Sequence, residues 1–379
     1  MKGWTEKTLG ALGTIGRGRS RHRPRDAKHL YGGPYPFIQT ADVKRANLYI
    51  DSYNQTYSDA GLAQSKLWEP GTLCITIAAN IAETAILKIQ ACFPDSVIGF
   101  IPHEKISDVR FVKYLFDAIL KKKFESYSKG STQDNLSQEK ILSLKFFVPA
   151  FEVQQKIGDI LSAYDDLIEN NRRRIQLLEE SARMLYKEWF VRLRFPGHEH
   201  VKVVDGVPEG WETVFLGDVL LLQRGFDLPA QQRKKGKYPV CASNGICGYH
   251  NEYKVTGPGV VTGRSGSLGL VSLVAENFWP LNTVLWVKEY KKTTPYHANF
   301  LLESLSLARF NGGAAVPTLN RNDVHALKIL FPPNWMIKEF SKVAQSFFLQ
   351  QISLKRQNHK LAQARDLLLP KLMSGEVTV

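Results

Sequence analysis

The stretch 161-LSAYDDLIENNRRRIQLLEESARMLYKEW-189 decides the architecture of this chain. Leu161, Tyr164, Ile168, Asn171, Ile175, Leu178, Ala182, Leu185 and Trp189 follow one another in steps that alternate three and four. Such spacing is a coiled-coil seam, because a helix underwound to 3.5 residues per turn keeps these positions on one side. After Pro333 the pattern returns with Ile337, Phe340, Ala344, Phe347, Gln351, Leu354, Asn358, Leu361, Arg365, Leu368 and Leu372. Each stretch could instead be the last core helix of its own domain, but the unbroken seam favours two helices that pair. An Asn stands inside each seam, where a buried amide costs stability and pins register. Matching the midpoints of two antiparallel helices pairs positions whose numbers sum to 529. Asn171 then faces Asn358, Leu161 faces Leu368, and Ala182 faces Phe347, so the amides satisfy each other and a small side chain meets a large one. From Leu161 to Trp189 the helix is roughly 42 Å long, a spacer of about one turn of B-DNA or slightly more.

The rest of the chain says nearly the same thing twice. Trp4, Leu9 and Gly10 recur 207 positions later as Trp211, Leu216 and Gly217. Leu136, Leu144, Pro149, Leu178 and Leu185 recur 183 positions later as Leu319, Leu327, Pro332, Leu361 and Leu368. The first copy therefore carries 24 extra residues between its opening Trp and its closing helix. Two similar frames with different fillings suit a protein that reads two different things at a fixed separation. The expected fold is mixed α+β: two globular recognition domains related by a pseudo-twofold, at 1–150 and 196–333, separated by antiparallel helical regions at 151–195 and 334–379. Strands are expected at Thr72–Ile77, Val260–Thr262, Leu268–Val274 and Thr283–Val287, and one helix per domain at Val109–Lys123 and Tyr296–Ala308. The polar, Pro- and Gly-containing stretch Phe195–Gly210 reads as a linker.

Composition narrows the class. The 379 residues hold 50 Lys and Arg against 36 Asp and Glu, a net charge of +14 that favours a polyanionic partner. Cysteines at 74, 92, 241 and 247 fit neither a zinc site nor a disulfide framework, so they read as ordinary reduced thiols. Residues 1–30 are basic and Gly-rich with no apolar signal core, and no run reaches the roughly 18 apolar residues of a membrane span. A cytoplasmic location away from membranes is the expectation.

Catalytic patterns are missing. Phe331-Pro332-Pro333-Asn334-Trp335 has its Asn on the wrong side of the prolines for an adenine-methylase motif, and reads as a strand stop followed by a helix with Asn334 as its cap. Pro94-Asp95 lacks the acid-x-Lys triplet of a nuclease, and the nine histidines form no metal-like cluster. Gly263–Gly269 (GRSGSLG) lacks the Lys of a nucleotide-binding loop; a tight turn and a loop projecting toward a partner remain open. No metal site and no enzyme activity of the chain itself are expected.

Several stretches resemble the specificity subunit of type I restriction–modification systems: 34-PYPFIQTADV-43, 238-YPVCASNGICGYHNEY-253, 260-VVTGRSGSLG-269 and 277-NFWPLNTVLWV-287. Each is loose alone; their order and duplication are specific. Departing from this pattern, the first copy reads 75-ITIAANIAETAI-86 where the second has the GRSGS glycines, which implies recognition domains of different sequence class. The resemblance implies a non-catalytic subunit whose two domains each read half of a bipartite DNA site. It further implies that the helices hold two methyltransferase subunits, joined by restriction subunits that translocate and cut DNA. S-adenosylmethionine, ATP and Mg would then stay on those partners. In that context Arg17, Arg19, Arg21, His22, Arg23 and Arg25 become candidate phosphate contacts, although a solvated loop explains them too. Asn244, Arg264 and Asn282 are candidates for base edges, with Ser265 and Ser267 beside them. Gln39, Thr40 and Lys44 are the counterparts in the first domain, and Ser131, Gln133 and Thr318 stand on later loops. Arg172, Arg173, Trp189 and Phe190 are the candidate partner contacts on the helices. Two rivals stay open: a free-standing two-domain DNA-binding regulator, and a compact methyltransferase or nuclease.

Overall fold

The structure, a computed structural model, describes residues 3–78, 82–127, 145–310 and 318–379. It resolves into two compact units, residues 1–173 with 354–379, and residues 174–353. The boundaries fall inside both long helices, Phe151–Tyr186 and Asn334–Met373, so each unit owns one domain and a share of each helix.

In the first unit, strand Thr5–Thr8 pairs antiparallel with Lys145–Val148, Thr5 lying opposite Val148. A five-stranded sheet follows in the order Gly13–Arg17, Val97–Pro102, Leu73–Thr76, Thr84–Leu87, Tyr49–Ile50. A four-stranded sheet runs Gln55–Tyr57, Tyr31–Phe37, Ala91–Cys92, Leu67–Trp68. Trp68 stacks on Phe93 with ring centroids 4.8 Å apart, and Gly16 and Gly99 make room for it: a Cβ on either would come within 2.6 Å of the indole. Helix Val109–Tyr127 covers the first sheet, contributing Phe111, Val112, Leu115 and Phe116 to a core that also takes Leu161, Leu372 and Met373 from the long helices. Each fully buried Leu or Phe in such a core stabilises by about 2 kcal/mol.

The second unit repeats this frame. Glu212–Phe215 pairs with Lys328–Phe331, and Glu212 lies opposite Phe331, which is the Thr5–Val148 pair moved by the two offsets of 207 and 183. Its four-stranded sheet runs Leu220–Arg224, Val284–Tyr290, Gly259–Gly263, Val271–Val274, and its three-stranded sheet runs Gly245–His250, Tyr238–Ala242, Trp279–Pro280. In both units an inner strand of the sheet described second has one parallel neighbour, Phe37 opposite Cys92 and Val240 opposite Trp279. The expected strands and helices are present with shifted ends; the second helix, Pro295–Ser304, is shorter because Leu307–Phe310 forms a separate 3-10 turn.

Both seams are shielded as the periodicity requires: every position is buried or half-buried and none is exposed. Within the first unit the Asn171 amide donates to the Asn358 side-chain oxygen at 2.9 Å, so the antiparallel register summing to 529 is present there. Beside it Asp165 is fully buried and accepts from Arg365, from Tyr114 Oη at 2.5 Å and from Asn47 Nδ2 at 2.8 Å. Burial next to that carboxylate raises the Tyr114 pKa.

Three expectations need correction. Phe195–Gly210 is not a bare linker: Phe195 is buried with Trp211 and Met336, and Val203–Val204 pairs with Val207–Pro208. Asn334 is the first helical residue of its helix rather than the cap before it. Trp189 and Phe190 do not stand free for a partner; both rings pack on Phe340 within the second unit, at 6.2 and 5.2 Å. Large aromatic rings gain most by burying their apolar area, and the core of their own unit is the nearest place to do so.

Candidate nucleic-acid interface

In the first unit the basic loop after strand Gly13–Arg17 is fastened down. Arg19 N donates to Phe93 O, while Arg21 N and His22 N both donate to Gln64 Oε1. Arg17 Nε donates to Asp95 O, Arg25 Nη2 donates to both oxygens of the Asp95 carboxylate, and Arg23 folds back on Ser20 O and His22 O. Asp95 is thus an anchor of this loop, which accounts for the Pro94-Asp95 pair without chemistry. Among the described residues the exposed guanidinium groups of Arg19 and Arg21 have no partner. An ordered backbone carrying two free cations differs from a solvated charge run, since the loop itself has little backbone entropy left to lose on contact.

Gln39 is corrected to a structural role. It caps helix Thr40–Arg45 in a reciprocal box with Asp42, and its amide donates to Gln55 at 2.8 Å. Thr40 is half-buried and Lys44 exposed on that helix. Ser131 and Gln133 lie outside the described residues.

The second unit gathers its candidates. The hairpin turn Ser243-Asn244, the loop from Arg264 to Gly269, Asn282 and Thr318 converge on one end of the domain. Asn244 is exposed at the turn between paired Ala242 and Gly245. Ser265 bridges to Thr318, and a Cβ on Gly266 would lie 3.5 Å from Ser243 Oγ. The glycines of this loop are conformational: Gly266 and Gly269 have φ of +82° and +79°, and a Cβ on Gly263 would collide with Ser267 O at 1.9 Å. Arg264 is half-buried, its Nη1 donating to Asn282 O at 3.3 Å, while Ser267 is exposed. Asn282 has a structural role that the sequence did not show: one N–H of its amide donates to Asp227, which fixes the side chain. Asp227, unmarked by any motif, is the residue sequence reasoning missed.

On the helices Arg172 is exposed near Glu169 at 3.6 Å, and Arg173 pairs with Asp51 of its own unit at 2.8 Å. All four cysteines are free thiols, three of them buried, and no group of metal-ligating side chains occurs among the described residues. No helix among the described residues is long and apolar enough to cross a membrane.

The family model described as the type I restriction modification DNA specificity domain matches residues 1–180 and again 208–360. The chain belongs to that family. Its two matches coincide with the two repeated frames, and the 183–207 offsets are the distance between copies of one domain. Among relatives, the chain is 26% identical to the type I restriction enzyme MjaIX specificity subunit of Methanocaldococcus jannaschii, covering 100% of this chain and 94% of the relative. It is 24% identical to the HindI specificity subunit of Haemophilus influenzae, over 66% of this chain and 72% of that one. The crystal structure of the type I restriction–modification S subunit from M. genitalium shares the fold, with a TM-score of 0.65 at 17% identity over 97% of this chain and 96% of that one.

Proposed function

We propose that this chain is the DNA-reading, non-catalytic subunit of a type I restriction–modification complex. Each unit reads one half of a split target, and the paired helices set the gap and carry two methyltransferase subunits. The observation that carries this reading is the identical strand register at Thr5–Val148 and Glu212–Phe331 beneath differently built loop clusters. One frame used twice keeps the geometry of presentation constant while the loops choose different bases. The free guanidinium groups of Arg19 and Arg21 suit phosphate, and the loops around Asn244, Arg264 and Ser267 suit base edges. Restriction subunits complete the assembly in the cytoplasm, and S-adenosylmethionine, ATP and Mg bind to the partners, not to this chain.

Selection of a randomised DNA library on the chain complexed with its methyltransferase subunit tests this. Two short half-sites separated by a fixed unread gap are expected. A single continuous site, or enrichment without any motif, contradicts the reading and favours a general DNA binder.

A further inference from the structure

We propose that Arg264 and Asp227 together read one G·C base pair in the half-site of the second unit, with Asn282 holding the two in place. This rests on the DNA-recognition reading above and names the base chemistry of one of its loops.

Arg264 is fixed at three points. Its N–H donates to Thr283 O at 2.8 Å, its carbonyl accepts from Leu319 N at 2.8 Å, and Nη1 donates to Asn282 O. A guanidinium carries five N–H donors in a rigid fork, and the contact with Asn282 uses one, so a donor edge remains open. Asp227 is equally well placed. Phe226 N donates to Pro280 O at 2.8 Å, and Gly225 lets the chain pass so close that a Cβ there would lie 2.2 Å from Leu281 O. The Asp227 carboxylate takes the Asn282 amide on one oxygen and is otherwise exposed.

Arg264 and Asp227 thus share Asn282 as a common support, yet among the described residues neither enters an ion pair. Two opposite charges, each bonded to Asn282 and not to one another, are complementary to a partner that offers both acceptors and donors. A phosphate offers only acceptors, and the carboxylate would repel it. The major-groove edge of a G·C pair offers guanine N7 and O6 to the arginine fork and the cytosine amino group to the carboxylate. Asn282 touches neither base in this arrangement; it is a positioning residue.

The test uses the complex of this chain with its methyltransferase subunit and maps N6-methyladenine across a genome for wild type, R264A, R264K, D227A and D227N. R264A and D227A should each relax the motif at the same or an adjacent single position of one half-site. Discrimination there should fall by about tenfold or more, with the other half-site and the gap unchanged. R264K keeps the charge but loses the fork and should be relaxed as well, and D227N, which can still accept from Asn282, should relax without loss of folding. A wild-type motif with R264K, or uniform weakening with R264A, would identify a phosphate contact and overturn the proposal. An unchanged motif in both D227A and D227N overturns the role of Asp227. A wild-type complex that shows no split motif overturns the DNA-recognition reading itself, and this proposal with it.

Discussion

His297 shows how much a single side chain commits to this fold. It is completely buried among the rings of Tyr186, Phe190, Phe331 and Phe340, with Nδ1 on Thr293 Oγ1 at 2.8 Å and Nε2 without a partner. Burial pushes its pKa down to about 3, so the fold holds the neutral ring. The unfolded chain takes up a proton near pH 6.5 while the folded chain does not, so this contribution is complete above pH 6.5 and is lost as pH falls toward 3. At pH 5 the loss should reach about 2 kcal/mol. Thermal melting at pH 7 and pH 5 should show a smaller drop for H297F than for wild type; equal drops would contradict the assignment. At this scale the sequence was only partly legible. Arg264 and Asn244 could be picked out because arginine and amide side chains in Gly-rich loops have few structural duties. Gln39 and Asn282 carry the same chemistry, but an amide can cap a helix or hold a carboxylate as readily as read a base, and only coordinates separate these uses. Asp227 had no motif to mark it, since its role depends on Gly225 bringing it against a segment more than fifty residues away.

Among the elements, the long helices were the most legible, because a 3–4 period over this length has few alternative explanations. The amide pair was predictable from register alone, so N171C/N358C should crosslink readily under oxidation, whereas N171C/R365C, one heptad away, should not. Efficient crosslinking of the second pair would overturn the register. The charge lock beside the amides was not foreseen: Arg365 stood in the second seam with no partner assigned to it, and Asp165 lay off the first. In the fold the buried Asp165 joins the two helices to Tyr114 and Asn47 of the domain. Removing one partner strands a buried charge, so R365M should destabilise by about 3 kcal/mol in urea unfolding, while D165L/R365M should recover most of the loss. If the double variant is no more stable than R365M, the pair is not a buried charge lock. By the offset of 183, Asp165 and Arg365 correspond to Phe348 and Ala182, so this polar device belongs to the first unit alone.

For the whole molecule, duplication was readable because the frame residues Trp4, Leu9 and Gly10 and their later copies occupy the positions where a two-stranded sheet and a helix turn meet the core. The fillings were less readable: loop chemistry changes freely while the frame persists, which is what a specificity protein requires and what defeats motif reasoning. Partner contacts were also hard to read: Trp189 and Phe190 are half-buried against the core of their own unit. The central claim is that one chain carries two independent readers. Replacing the second domain, from Trp211 to Phe331, by that of another family member and mapping adenine methylation by the complex tests it most directly. The account predicts that one half-site changes while the other half-site and the gap between them stay as in wild type. Alteration of both half-sites, or a motif indifferent to the exchange, would contradict it.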